Sequence, residues 1–142
     1  MKKAFVADAS VAVAWCTPAQ ASAITDRLLD DILSGSTVAV PPLWPYEVAN
    51  ALLILWRRKK LDPDDYSEAR MLLDRLPVSV DNDGPRLAAT RIGDLAMEHE
   101  LTVYDAAYLE LAIREGAVLA TLDTALMRAA RAEGVSLIDG ED

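Results

Sequence analysis

Four acidic side chains stand where a reaction could use them. Asp8 follows the apolar run Ala4-Phe5-Val6-Ala7, and Asp123 follows Leu119-Ala120-Thr121-Leu122. Glu47 lies in Pro45-Tyr46-Glu47-Val48-Ala49-Asn50, and Asp105 in Leu101-Thr102-Val103-Tyr104-Asp105-Ala106-Ala107-Tyr108. Two of them have a hydroxyl two residues away, Ser10 after Asp8 and Thr121 before Asp123, and a period of two lets both members of a pair face one site. Asn50, three residues after Glu47, shares its helix face. Thr102, three residues before Asp105, is placed to cap a helix in a relative of the capping box.

Singly, each acid reads as a loop acid, a helix cap or a partner for a helix dipole. Brought together they repel: two like charges about 4 Å apart cost roughly 4 kcal/mol at an effective dielectric near 20. Such a cluster needs protons or a divalent cation to neutralise it. A set of oxygen ligands without His or Cys suits Mg²⁺ or Mn²⁺ rather than zinc. The chemistry that fits is phosphodiester hydrolysis by a metal-activated water, which requires no protein nucleophile.

The elements that would carry these acids follow from hydrophobic periodicity. Residues 3–8 read as a strand covered on both faces, with Ser10 able to cap a short helix through Trp15 or Cys16. Pro18 fits the first turn of a second helix, with Ile24, Leu28, Leu29, Ile32 and Leu33 at three-or-four spacing until Ser34-Gly35-Ser36. Residues 37–40 form the next strand. A third helix runs from about 43–45 to Lys60, its centre apolar on every side except Asn50, so it is either deeply buried or offers surface to another chain. Asp62-Pro63-Asp64-Asp65 opens a fourth helix through Leu76. Residues 77–80 are a strand, 81–85 a turn, and 86–98 a helix with Leu87, Ile92, Leu95 and Ala96 inward. The Asp105 helix stops at Gly116, residues 118–121 are a strand, 125–133 a helix, and 135–138 a last strand before the acidic tail 139–142, expected to fray.

Alternating strands and helices imply a three-layer α/β/α sandwich with a mostly parallel central sheet, one domain over residues 1–142. In such sheets ligands bind at the carboxyl ends of the strands, where strand order reverses, and Asp8 and Asp123 sit at such ends.

Composition narrows the class. The apolar fraction is 52% of 142 residues, enough for one core. No apolar run reaches the roughly 18 residues a membrane span needs, and the opening segment meets Asp8 after only four apolar residues, which reads as a cytoplasmic strand rather than a signal peptide. Cys16, the one cysteine, excludes an intrachain disulfide and reads as a buried small hydrophobe. His99, the one histidine, has no serine or cysteine motif near it and reads as solvated. The net charge of −9, from 14 basic and 23 acidic residues, argues against nonspecific coating of nucleic acid. The basic run Arg57-Arg58-Lys59-Lys60 is either a solvated helix end or a phosphate-attracting rim; Arg86 and Arg91 are further candidates for the rim.

In order along the chain, Val6-Ala7-Asp8-Ala9-Ser10, Pro45-x-Glu47-Val48-x-Asn50, Thr102-x-Tyr104-Asp105-Ala106-Ala107-Tyr108 and Ala120-Thr121-Leu122-Asp123 resemble the PIN domain, and within it the VapC toxins of bacterial toxin–antitoxin pairs. The resemblance covers the chain from first strand to last. It implies that Asp8, Glu47, Asp105 and Asp123 form an acidic metal site with Ser10 and Thr121 in support. It also implies Mg²⁺- or Mn²⁺-dependent endoribonuclease activity on RNA, homodimerisation, and inhibition by a VapB-like antitoxin laid into an apolar groove, for which the surplus between Ala49 and Trp56 is suited. Two other readings compete. One is a PIN-like protein-binding module with little turnover; the other is phosphoryl transfer on Asp8, for which Asp8-Ala9-Ser10 lacks the expected second aspartate.

Overall fold

In the computed structural model, which describes residues 3–138, a four-stranded sheet forms the middle layer. The strands are β1 (Ala4–Ala7), β2 (Thr37–Val40), β3 (Val78–Val80) and β4 (Val118–Ala120), all parallel in the order β3-β2-β1-β4. The helices are α1 (Ala9–Cys16), α2 (Ala23–Leu33), α3 (Trp44–Arg57), α4 (Pro63–Arg75), α5 (Gly93–His99), α6 (Val103–Glu115) and α7 (Thr124–Ala132). The order explains the layers. Steps from β1 to β2 to β3 move one way along the sheet and the step from β3 to β4 moves back, so right-handed crossovers put α1–α4 on one face and α5–α7 on the other. The packing agrees: α1 touches α2, α3 and α4, while α6 lies on β1, β2 and β4 with α5 and α7 beside it.

Phe5, Val6 and Ala7 are buried, as a strand covered on both faces requires. In α6, Ala106, Tyr108, Leu109, Glu110, Leu111 and Ala112 are buried, which makes it the central helix of its layer. α3 proves amphipathic rather than buried all round. Trp44, Val48 and Leu52 turn inward at four-residue spacing, while Ile54 and Trp56 reach solvent, Trp56 stacking on Tyr66 with centroids 5.8 Å apart. Cys16 is buried and free, and burial pushes its thiol up to about 11. No helix among the described residues is long and apolar enough to cross a membrane.

Several boundaries differ from the sequence reading, each for a local reason. Asp8, not Ser10, caps α1, because its carboxylate accepts from Val11 N. Pro18 opens only a 3₁₀ turn, Pro18–Gln20; α2 starts after Ser22, whose hydroxyl and Thr25 form a reciprocal capping box. α3 ends at Arg57, with Lys59 at φ 58 unable to continue it. The expected helix over 86–98 is a 3₁₀ turn (Gly84–Leu87) and a π turn (Ala88–Ile92) before α5 proper. The last strand shrinks to one parallel bridge, Leu119 to Leu137. The acidic tail lies outside the described residues.

A buried ionic network fixes α6 to the turn after β3. Arg114 donates from Nε to Glu110 Oε2 at 2.9 Å and from Nη1 and Nη2 to the two Asp81 oxygens at 2.8 Å each. Asp81 in turn accepts from Gly84 N, and a Cβ at Gly84 would stand 2.7 Å from Asp81 Oδ2. Hydrogen bonds from the Arg114 guanidinium hold the Asp81 carboxyl down to about 2. Replacing Arg114 with alanine leaves the part-buried Asp81 and Glu110 carboxylates without their partner, and denaturant melts are expected to show a loss of roughly 1–3 kcal/mol. Asp81 has its pKa lowered on folding, so its share of that stability is present above its ordinary pKa of 3.8 and lost as pH falls toward 2. The gap between parent and Arg114→Ala should therefore narrow over that interval; equal midpoints at pH 7 would contradict the account.

Candidate active site

The strand order reverses between β1 and β4, and the carboxyl ends of those two strands are stitched together by side chains. Asp8 N donates to Ala120 O at 3.0 Å. Ser10 Oγ donates to Asp8 Oδ1 at 2.5 Å and accepts from Leu122 N at 3.0 Å. Thr121 Oγ1 donates to Asp8 Oδ2 and accepts from Asp123 N at 3.0 Å. Each hydroxyl thus uses both its donor and its acceptor capacity across the gap, and Asp8 is left 6% exposed with hydroxyls on both oxygens. Asp123 caps α7 through Leu126 N at 2.8 Å and is itself exposed.

The other two acids enter on helices. Glu47 lies in the first turn of α3, and Tyr108 Oη, from α6, donates to Glu47 Oε1 at 2.6 Å. Thr102 caps α6 by accepting from Asp105 N at 3.0 Å, which sets Asp105 in the first turn. All four acids therefore stand at helix N-termini, where the positive end of the dipole favours a negative group. Asn50 is exposed on α3, one turn beyond Glu47.

Their electrostatics are coupled. Burial pushes the Asp8 carboxyl up despite its four hydrogen bonds. Glu47 is raised chiefly by burial, with the charges of Asp105 and Asp8 adding to it against the Tyr108 hydrogen bond. Asp105 is raised by burial and then by Asp123. Burial and the Glu47 carboxylate keep the Tyr108 hydroxyl protonated, so it can only donate to that acid. Among the described residues no three of these acids bring oxygens within 4.8 Å of one another. Three of the acids could ligate one ion directly only by drawing closer, so a cation held here would keep several of its own waters, as Mg²⁺ does. The donor set, carboxylates with hydroxyls and no imidazole or thiolate, matches that ion class.

Residues 5–132 match the PIN domain family. The chain belongs to that family. No curated protein matches this PIN domain at a significant level. Among solved structures it is similar to PAE2754 from Pyrobaculum aerophilum, with 25% identity and a TM-score of 0.64 over 98% of this chain and 93% of that one. It is also similar to VapBC2 from Rickettsia felis bound to a DNA fragment from their promoter (17% identity, TM-score 0.63, 94% and 96% covered). A third is FitAcB from Neisseria gonorrhoeae (19% identity, TM-score 0.62, 94% and 95% covered). These likenesses extend over nearly the whole PIN domain and show its fold.

Two residues were underread in the sequence. Tyr108 lies three residues after Asp105, a spacing that shares a helix face, yet only its pairing with Glu47 across the site reveals its role. His99 is not solvated: its side chain is 12% exposed and Nε2 lies 2.7 Å from Glu133 Oε2, a partner 34 residues away that no local pattern announces.

Acids whose pKa is raised on folding destabilise the metal-free fold at neutral pH, because the unfolded chain gives up those protons more readily. Stability from this source is greatest below the ordinary carboxylate range and falls as pH rises through the raised values of Glu47 and Asp105. Asp105→Asn is therefore expected to raise the Tm of the metal-free protein at pH 7, by no more than a few degrees because solvent screens this half-exposed carboxyl. The advantage should vanish near pH 4. A variant less stable than the parent in EDTA at pH 7 would refute the coupling.

Proposed function

We propose that this PIN domain is a metal-dependent endoribonuclease, the toxin of a VapBC-type pair, with Asp8, Glu47, Asp105 and Asp123 as its acidic site and Mg²⁺ or Mn²⁺ as its cofactor. PIN domains are typically metal-dependent nucleases. The observation that carries the reading is the treatment of Asp8: a carboxylate held almost dry by two hydroxyls at the strand reversal, with the charges of Asp105 and Asp8 felt by Glu47 and that of Asp123 felt by Asp105. A fold gains nothing from collecting such charges unless a cation is to be held there.

When bound, the cation supplies a water of lowered pKa and compensates charge on the leaving oxygen. The chain's residues do the rest. Ser10 and Thr121 fix the Asp8 carboxylate in one orientation and leave its outward lone pairs for the ion. Tyr108 turns Glu47 toward the site from the opposite helix. Asp105 and Asp123 are both more open to solvent than Asp8.

A VapB-like antitoxin and a second copy of the chain are the partners this reading implies. Support for the antitoxin comes from a groove of about 590 Å³ between α3 and α4, lined by Trp44, Val48, Leu52, Tyr66, Met71 and Leu73. The groove is mainly apolar, as a surface that takes the apolar face of a partner segment would be. A protein-binding module with little turnover would also use the groove, but would gain nothing from the mutual repulsion of Glu47, Asp105 and Asp123.

Purified, antitoxin-free protein should cleave RNA with Mg²⁺ or Mn²⁺ and lose that activity in EDTA. Asp8→Asn should abolish cleavage, and Tyr108→Phe should lower it by roughly 10- to 100-fold, the usual cost of removing a residue that orients a metal ligand. Cleavage that persists in EDTA or survives Asp8→Asn would sink the assignment. Growth arrest that an acid-to-amide change does not relieve would favour the binding module.

A further inference from the structure

We propose a second cation site, separate from the acidic rim, formed by Glu98, His99 and Glu133 and suited to a transition-metal dication of the zinc class. Each of the three offers one ligand atom, and these atoms lie within 4.8 Å of one another, a convergence that no trio of the rim acids reaches among the described residues. His99 Nε2 stands 2.7 Å from Glu133 Oε2 and 3.9 Å from Glu98 Oε2. A shift of these flexible side chains by an ångström or so would place an ion among them at ordinary Zn–N and Zn–O distances of about 2.0–2.2 Å.

The backbone favours a cation at this spot. Glu98 and His99 end α5, which closes at Glu100 in the left-handed region (φ 57), and Glu133 is the C-cap of α7. Two helix C-termini, each the negative end of a dipole, therefore bring their carboxylates together here, whereas the rim acids sit at the positive ends. The donor chemistry differs in the same sense. One imidazole with two carboxylates binds Zn²⁺, Co²⁺ or Ni²⁺ in preference to Mg²⁺, while the all-oxygen rim has the opposite bias. His99 and Glu133 are largely enclosed, with side chains 12% and 23% exposed. Glu98, at 65%, leaves the trio open to solvent on its side, where an ion could enter and water complete the coordination.

The site is remote from the chemistry. Glu133 is ten residues along from Asp123, so the two ends of α7 are about 15 Å apart at 1.5 Å per residue. A metal there would join the C-terminal ends of α5 and α7, the two helices that flank α6 with its Asp105 and Tyr108. Its role would be to brace that layer rather than to turn over substrate. The rival occupant is a proton: an imidazolium between two carboxylates satisfies the same charges.

Because His99 is the only histidine, its ring nitrogens are an unambiguous reporter. Tag-free protein is titrated with Zn²⁺ alone while the His99 ring is followed by ¹⁵N-edited NMR and Tm is recorded. The expected result is a shift of the ring resonances complete at one equivalent, with Tm raised by several degrees. Both effects should persist in an Asp8→Asn/Asp105→Asn double variant, which disables the rim, and millimolar Mg²⁺ should leave the ring unmoved. His99→Gln and Glu133→Gln should each weaken zinc binding by tenfold or more. Ring resonances that follow pH but ignore Zn²⁺ would establish the imidazolium and overturn the proposal, as would zinc affinity unchanged in both single variants.

Discussion

The Asp8 carboxylate is nearly cut off from water, and the arrangement around it depends on making that tolerable. Desolvation raises its pKa, and the four hydrogen bonds from Ser10, Thr121 and the α1 backbone oppose the rise. Those bonds exist only because β1 and β4 are neighbours and end together, with Ala7 registered on Ala120. A parallel sheet also starts its following helices at the carboxyl ends of its strands, so α1, α3 and α7 all aim positive dipole ends at this rim. α6 arrives the same way round because it runs back over the sheet into β4. The charges of these acids act on one another at a cost that the backbone partly offsets, and on the proposed reading a bound cation would offset the rest.

α6 carries two duties at its two ends. Its first turns present Asp105 and, three residues on, Tyr108, whose hydroxyl reaches Glu47 on the opposite layer. Its last turns hold Glu110 and Arg114, the latter bonded to Asp81 after β3. Between them the helix is buried on most sides. Rotation of α6 would move Asp105 and Tyr108 together, and the fork of Arg114 on both Asp81 oxygens is what resists it. The stability of the network and the geometry of the rim are therefore linked through one rigid element rather than through direct contact.

What could be read from the sequence divides along the same physical line. The strands, the parallel layering and the positions of Asp8, Glu47, Asp105 and Asp123 at element starts follow from local patterns of apolar runs, caps and turn residues, and the fold bears that reading out. The local contacts at those acids, Ser10 on Asp8 and Thr102 on the Asp105 backbone, follow from spacing, whereas the long-range contacts of this layer were not legible. Tyr108 meets Glu47 across 61 residues, Arg114 meets Asp81 across 33, and Thr121 meets Asp8 across 113. His99 was misread for the same reason. Helix starts were misplaced where two caps competed: Asp8 won over Ser10 because Ser10 is engaged between Asp8 and Leu122. Among the described residues the expected fifth strand pairs only through Leu119 and Leu137, and a single bridge is not a ladder.

The distribution of charge separates the two roles offered to the basic run. Arg57 lies ten residues beyond Glu47 on α3, about 15 Å along its axis, and Arg58, Lys59 and Lys60 lie beyond it, all exposed. They stand at the far end of α3 from the acids, so they complement that helix's negative dipole end and do not border the rim. Arg86, in the 3₁₀ turn just past β3, is on the strand-end side, but its guanidinium lies 3.6 Å from Asp83. On the proposed nuclease reading, a phosphate approaching a chain of net charge −9 would be drawn in by whatever neutralises the rim itself. Cation binding would then govern substrate attraction as well as chemistry, and the apparent affinity for RNA would rise with divalent ion at concentrations where salt screening alone should weaken it.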